Sequence, residues 1–514
     1  METVDSRLSV SATLEALNAL LREQAGDGAR GSVWFKESSA RNLRGRDFLA
    51  PQAALRAMFA DGQVPNGIID RVCSLKCPGV PPIQSCQKDP AGLTVQLNRP
   101  AVFEQILKGI HMYVKSPQIA HGQSILLNCV PLHGHKGLNS LILSQLRAIL
   151  VTDHLMGMLQ AQGVDVHLVP ALADEEIHQF LRQLQVEWPS VLGTARKPED
   201  VLAMKEALRQ CPYATFAQTD QDGVVCKLHL KGFLQKQQQE GLEGYDPNID
   251  VFFAVALLQA AEPGRRCSVV HVVSNEEAFQ QQKVDLLWRL VAPQALAAPQ
   301  VSNDSLVGGC VQICPFCFYL PRLLKSDFLP ADDTWSETVS VLTSAAIRFE
   351  MLSTACQNQD TSISTKGTKS GAFVMYNCAR LATLFETWQR AAEQGLYPAF
   401  PLPSELNYSS LREEGEWLLL FNSILPFQEV LRQGIQLPFS SGGLRVTAST
   451  EAICKFLIQL SMDFSSYYNR VHILGEPRPH LFDQMFARLQ LMRAVQEVLR
   501  SALATLHLPP LSQI

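Results

Sequence analysis

Gly371-Ala-Phe-Val-Met-Tyr-Asn-Cys-Ala-Arg-Leu381 opens a helical pattern that runs to about residue 394. Tyr376 and Arg380 stand four residues apart in it, on one helix face. Four more helical patterns surround it, at about 338–354, 409–433, 449–473 and 480–507, separated by breaks that contain proline and glycine. No period of about 20–50 residues recurs, so these helices are expected to form a bundle and not a solenoid. The polar stretch Gln357–Ser370 reads as a loop leading into the bundle.

Upstream of the bundle the periodicity changes. Ser124-Ile-Leu-Leu-Asn-Cys-Val130 is an apolar strand, Pro131–Asn139 a turn, Ser140–Gln162 a long amphipathic helix and Val164–Val169 a second strand. That order is a βαβ unit, the seed of a parallel sheet with a right-handed crossover. Ser268-Val-Val-His-Val-Val273 adds a strand before a helix over Phe279–Leu290, so the middle of the chain is α/β. Ala292–Gly309, rich in Ala, Pro, Ser and Gly, reads as a linker. Before residue 115 the signals are mixed: helical at Leu8–Arg22 and Ala101–Tyr113, strand-like at Gly92–Leu97.

Composition narrows the function. Of 514 residues, 46% are hydrophobic and 18% charged, which is globular. A formal net charge of −5 excludes a polycation, so any nucleic-acid surface must be a local basic patch. The N-terminus lacks the apolar core of a secretory signal, and no run of 18 apolar residues is present. The 13 cysteines are irregularly spaced, as expected for reduced thiols in a cytoplasmic protein.

Several islands, in order, resemble the helical anticodon-binding (DALR) domain of arginyl-tRNA synthetases. In the family's signature helix an aromatic residue is followed three positions later by Ala-Arg; Tyr376, Ala379 and Arg380 match it. Ala346–Leu352 precedes it. Glu416-Trp417-Leu418-Leu419 leading to Phe427–Leu431, Phe464–Leu474 and Arg488–Leu508 follow. Islands in order over so long a stretch are a specific signal. The likeness extends to Ala91–Leu97, similar to the end of the synthetases' N-terminal tRNA-binding domain. It also extends to 124–169 and Val269–Leu286, similar to parts of the catalytic domain. The resemblance implies three units: a small α+β N-terminal tRNA-binding-like domain (1–118), a degenerate class I Rossmann-like α/β domain (119–335) with a variable insertion near 295–330, and an all-α anticodon-binding bundle (336–514).

The same resemblance argues against aminoacylation. Class I synthetases carry His-x-Gly-His at the first helix, where imidazoles and the helix N-terminus stabilise charge on the reacting phosphate. Here the turn reads Leu132-His133-Gly134-His135, and Leu132 replaces the first imidazole. Ser362-Ile-Ser-Thr-Lys366 lacks the leading basic residue of the lysine loop, and Val169–Asp174 replaces the acidic, tryptophan-bearing segment. No catalytic residue is therefore assigned.

Cys310, Cys314 and Cys317 have the Cys-x3-Cys-x2-Cys spacing used to hold an iron–sulfur cluster, and three such thiolates also suit zinc. The cluster needs a β/α barrel after it, whereas helices and no further strands are expected here. The expectation is therefore ordinary thiols, no metal and no cofactor.

The resemblance points to Tyr376, Asn377 and Arg380, and to Tyr467, Tyr468, Asn469 and Arg470, as tRNA-binding residues. Unpaired RNA bases are read by stacking on aromatics and by hydrogen bonds to their edges. The plain alternative is that Tyr376 packs in the bundle with Arg380 paired to an acid, and that one tyrosine of the 467–468 pair is core. Lys36, Arg41, Arg44 and Arg46 form a basic cluster, either a solvated face or candidate phosphate contacts. Trp388 and Trp417 are expected in the core. The implied function is a non-catalytic adaptor that binds arginine tRNA and presents it to an anticodon-loop tRNA methyltransferase forming 3-methylcytidine, with neither membrane nor DNA as partner. The alternatives are a divergent arginyl-tRNA synthetase and a protein scaffold that has lost RNA binding.

Overall fold

The computed structural model describes residues 7–25, 34–57, 59, 64–115, 124–132, 137–190, 209–215, 227–229, 232, 235, 252–253, 267–274, 309–313, 333–353, 366–436 and 447–513. The N-terminal part is a four-stranded antiparallel sheet with helices against it. Its strands are β1 (Lys36–Glu37), β2 (Phe48–Pro51), β3 (Ile83–Asp89) and β4 (Gly92–Leu97), in the order β1-β2-β4-β3. In β4 the residues Leu93, Val95 and Leu97 alternate into the core, as the period-2 pattern requires. The β3–β4 hairpin closes on Gly92, whose φ is +142°; a Cβ there would lie 2.0 Å from the Ala50 carbonyl oxygen of β2. Helices α1 (Val10–Ala25), α2 (Gln52–Arg56), α3 (Asn66–Cys73), α4 (Arg99–Lys108) and α5 (Ile110–Val114) complete this part. The Asn98 side chain caps α4 by accepting from the Ala101 N–H.

The middle part is a parallel sheet. Strands β5 (Ser124–Cys129) and β6 (Asp165–Val169) flank helix α6 (Leu143–Ala161), which is the expected βαβ unit. Strand β7 (Cys267–Ser274) lies on the other side of β5. One expectation is corrected here. Gly309–Ile313, which straddles the end of the expected linker and falls in the expected insertion, is a strand, β8, parallel to β7 and carrying Cys310 in its backbone. The sheet order is β8-β7-β5-β6. The run Cys-Val-Gln-Ile is short and partly β-branched, so it suits a pleated edge, and its cysteine spacing obscured that. Cys314 and Cys317 lie outside the described residues, as do His133, His135 and the expected helix at 279–290. Among the described residues no group of three potential metal ligands is found. Helix α7 (Glu175–Gln183) follows β6, capped by Asp174, which accepts from the N–H groups of Glu176 and Ile177.

The C-terminal part is the expected bundle: α8 (Asp333–Leu352), α9 (Lys366–Glu393), α10 (Glu414–Leu419), α11 (Phe427–Gly434), α12 (Glu451–Arg470) and α13 (Pro479–Ala504). Helix α9 begins at Lys366, inside the stretch read as loop. The helix expected over 409–433 is broken: a 3₁₀ turn at Tyr408–Ser410, α10, a π-helical turn at Leu420–Ile424, and α11 entered through Pro426. Proline cannot donate within a helix, so the chain restarts there. A two-stranded pairing, β9 (Ile435–Gln436) with β10 (Thr447–Ala448), links α11 to α12. No helix among the described residues is long and apolar enough to cross a membrane.

The three parts share one core. Helix α6 is buried on every side, including its polar residues Arg147, Thr152, Asp153 and His154. Arg147 Nε donates to the Met351 carbonyl at 3.1 Å. Asp153 Oδ2 accepts from Arg348 Nη1 at 2.6 Å and lies 2.9 Å from His507 Nδ1. Arg348 also donates to the carbonyls of Leu184 and Gln185. Burial raises the Asp153 carboxyl, but Arg348 and His507 outweigh it and hold the group below the usual carboxylate range. A buried charge needs this degree of pairing.

Candidate nucleic-acid interface

The helix signature and the Tyr-Tyr-Asn-Arg segment meet between α9 and α12. Arg380, on α9, donates from Nη1 to Ser465 Oγ (3.1 Å) and Asn377 Oδ1 (3.4 Å), and from Nη2 to Asn469 Oδ1 (2.7 Å). Its guanidinium lies 4.4 Å from the ring centre of Tyr468 and 5.5 Å from that of Tyr376, with Phe464 at 5.9 Å. These bonds occupy three of the five guanidinium N–H groups. The cation is thereby held within cation–π range of three aromatic rings.

Tyr376 is 47% exposed, so one of its ring faces is open to solvent-borne partners. Asn469 and Arg470 are also exposed and Tyr468 is partly buried. The result is a small platform of two tyrosine rings, a fixed guanidinium and an amide at its edge. Arg470 stands at its rim, with Nε donating to its own helix carbonyl at Ser466.

Two expected contact residues turn inward. Asn377 is fully buried: Nδ2 donates to the Phe373 carbonyl, and Oδ1 accepts from Arg380. Tyr467 is the core member of the tyrosine pair, 1% exposed, and its hydroxyl donates to Glu416 Oε1 at 3.0 Å. The expectation that these two side chains face RNA is corrected: they support the platform from beneath. The reason is the rotation of each helix: residues 467 and 468 point about 100° apart, and Tyr467 is the one turned toward buried Glu416, as Asn377 is turned into α9's packed face. Ser465, which sequence reading passed over, joins them as a support. Its position four residues before Asn469 was the available signal.

Glu416 anchors the underside. Fully buried, it accepts from Tyr467 and from Arg488 Nε (2.8 Å) through Oε1, and from the Glu413 backbone N–H through Oε2. Burial and the neighbouring Glu416 carboxylate push the Tyr467 hydroxyl well above the usual tyrosine range, so it stays a donor. The next residue, Trp417, is core as expected and donates from Nε1 to Asp47 Oδ1 at 2.8 Å. Arg99 lies over the Trp417 ring at 4.9 Å, 3.6 Å from Asp47, and donates to the Leu43 carbonyl. Leu43 sits inside the basic cluster. Lys36, Arg41 and Arg44 are exposed and Arg46 is half-buried. A continuous chain of contacts thus runs from the basic loop through Arg99, Asp47, Trp417 and Glu416 to Tyr467, next to the platform.

At the crevice of the parallel sheet, Leu132 is 2% exposed and part of the core. An apolar residue packed there supplies neither proton nor charge.

A curated relative from Mus musculus, named DALR anticodon-binding domain-containing protein 3, is 48% identical to this chain and covers 99% of both sequences. The chain belongs to that family. The protein of the same name from Danio rerio is 40% identical over 98% of this chain and 99% of its own. Within this DALR-domain family, residues 8–113 match the description "DALR, N-terminal domain" and residues 374–514 match "DALR anticodon binding domain". An arginine–tRNA ligase of Treponema pallidum is 28% identical over 175 residues, 33% of this chain and 26% of its own. Among solved structures, arginyl-tRNA synthetase of Thermus thermophilus superposes with a TM-score of 0.57 at 15% identity, covering 98% of this chain and 100% of that one. That of Plasmodium falciparum gives 0.59 at 10% identity over 99% and 100%. The architecture expected from the resemblance, an α/β part with an N-terminal DALR domain and a helical C-terminal one, is the architecture found.

Proposed function

We propose that this protein is a tRNA-recognition subunit that binds arginine tRNAs and presents them to an anticodon-loop methyltransferase forming 3-methylcytidine, in the cytoplasm and without catalysis of its own. The observation that carries it is the platform of Tyr376, Arg380, Tyr468 and Asn469. An exposed ring and a half-buried one flanking a fixed guanidinium, with an amide at the edge, are suited to stack an unpaired base and bond its rim. The family's name and the synthetase-like fold support tRNA as the RNA. Lys36, Arg41, Arg44 and Arg46 are the proposed phosphate contacts of the N-terminal part, and Arg470 that of the platform.

Leu132 supports the absence of aminoacylation, since a fold does not carry an activity whose residues are missing. The reading divides the chain at about residues 118 and 335. Binding enzyme and tRNA together makes their encounter intramolecular, which is how a non-catalytic subunit confers specificity.

Affinity purification from cells tests the reading. Arginine tRNAs and a methyltransferase are expected together, and recovery of neither overturns it. ATP–pyrophosphate exchange dependent on arginine is expected to be absent. Exchange abolished by His135→Ala would establish the divergent synthetase instead.

A further inference from the structure

The α12–α13 turn continues directly from the platform. It reads Arg470-Val-His-Ile-Leu-Gly-Glu-Pro-Arg-Pro-His480 and carries two arginines and two histidines against one acid, Glu476. In a chain of net charge −5 this is a local reversal of sign. Arg470, His472, Arg478 and His480 are all exposed.

The turn is held on both sides. Ile473 is buried at 5% exposure. The Tyr397 hydroxyl donates to the Gly475 carbonyl at 2.7 Å, and Tyr397 itself packs edge-on against Phe482 of α13. Arg488 Nη1 donates to the His472 carbonyl at 3.4 Å, from the same side chain that binds Glu416. The backbone between the two cationic ends is therefore fixed to the core that supports the platform. The one ion pair in it, Arg478 Nη2 with Glu476 Oε2 at 2.7 Å, has both members about two-thirds exposed. Such a pair contributes little and yields readily to a stronger anion.

Arg380 cannot serve the backbone of a bound strand in the same way, because three of its N–H groups are already bonded within the protein. We propose that the 470–480 turn is the phosphate rail of the RNA site: Arg470, His472, Arg478 and His480 contact the sugar–phosphate backbone of the single-stranded loop whose base stacks on Tyr376 and Tyr468. The division of labour is physical. Internally bonded Arg380 with its rings reads a base, while the exposed arginines of the turn neutralise phosphates and its histidines offer hydrogen bonds. The inference rests on the RNA-binding reading above and adds residues to it.

The two roles separate by salt dependence. Each phosphate neutralised on single-stranded nucleic acid contributes about 0.7 to the slope of log affinity against log salt, whereas stacking contributes almost nothing to that slope. The experiment measures binding of the full-length chain to an arginine-tRNA transcript at several salt concentrations. Arg470→Ala with Arg478→Ala is expected to lower the slope by about 1.4. Arg478→Lys, which keeps the charge, is expected to restore its share. Tyr468→Ala is expected to weaken binding about tenfold or more at a near-constant slope. An unchanged slope in the double variant, with Tyr468→Ala still weakened, overturns the rail and leaves the platform standing. Failure of the unaltered chain to bind the transcript overturns the RNA reading and the rail with it. Unaltered thermal unfolding of the arginine variants, expected for exposed positions, assigns their loss to the interface.

Discussion

At the residue scale, Arg380 does two things at once: it holds Asn469 and Ser465 in place and lies against Tyr468 and Tyr376. Arg380→Lys keeps the charge but loses the planar fork. It is therefore expected to weaken RNA binding nearly as much as Arg380→Ala, by about tenfold or more, measured by equilibrium titration at fixed salt. Retention of affinity by the lysine variant would show that charge alone matters there. Tyr376 and Arg380 were legible in the sequence because they are four apart in a long amphipathic pattern. Asn377 and Tyr467 were misassigned because a motif gives residue types, not the rotation of the helix that bears them. A second residue-scale expectation concerns His154. Burial is the largest influence on it and pushes its imidazole down to about 4, from an ordinary 6.5. The folded value lies below the unfolded one, so the unfolded chain takes up the proton first. Stability from this group is intact above about pH 6.5 and declines as pH falls toward 4, by about 1.4 kcal/mol per unit. Asp153, held below its ordinary 3.8, adds a further loss at still lower pH. His154→Asn, whose amide nitrogen takes the place of Nδ1 and keeps an N–H for the Thr505 carbonyl but does not titrate, is expected to flatten the upper window in denaturant unfolding.

At the element scale, the joints between parts rest on a few close approaches. Trp417 stacks on Phe421, meets Phe103 edge-on and bonds Asp47, so it joins α10 to α4 and to the chain just before β2. Trp417→Phe keeps most of the packing but leaves buried Asp47 short of one donor, an expected cost of about 1–3 kcal/mol. Trp417→Ala adds a cavity, for about 3–5 kcal/mol. Denaturant titration distinguishes the two, and a Trp417→Phe variant as stable as the unaltered chain would mean that the Asp47 bond contributes nothing. Gly157 of α6 touches the turn after α13, where a Cβ would lie 2.5 Å from the Thr505 carbonyl oxygen. Gly157→Ala is expected to destabilise the chain although alanine favours helices, because rigid backbone occupies the space. The bundle's helical stretches were legible from their apolar spacing, although the one expected over 409–433 is two helices, α10 and α11. The break at Pro426 and the strand β8 were not. The first was hidden by apolar residues that continue in phase across the π-turn, the second by a strand of five residues whose parallel partner lies far back in the chain.

At the scale of the whole molecule, the α/β part is tied to the bundle through α6. Helix α6 is enclosed by the sheet, by α8 and by the C-terminal turn, and the N-terminal part is bonded to α11 through Ser9 and Ser11, whose hydroxyls donate to Glu429. The bundle packs against the α/β part through these contacts. Such an arrangement was not readable from sequence, since it depends on contacts between residues hundreds of positions apart. The α9–α12 platform is the proposed site of arginine tRNA binding. It is tested most directly by equilibrium binding of the full-length chain and of Arg380→Ala to an arginine tRNA and to an unrelated tRNA, at one stated salt concentration. The account predicts tighter binding of the arginine tRNA by the unaltered chain and loss of that preference in Arg380→Ala. Equal affinity for both tRNAs, or a preference that survives the substitution, would contradict it.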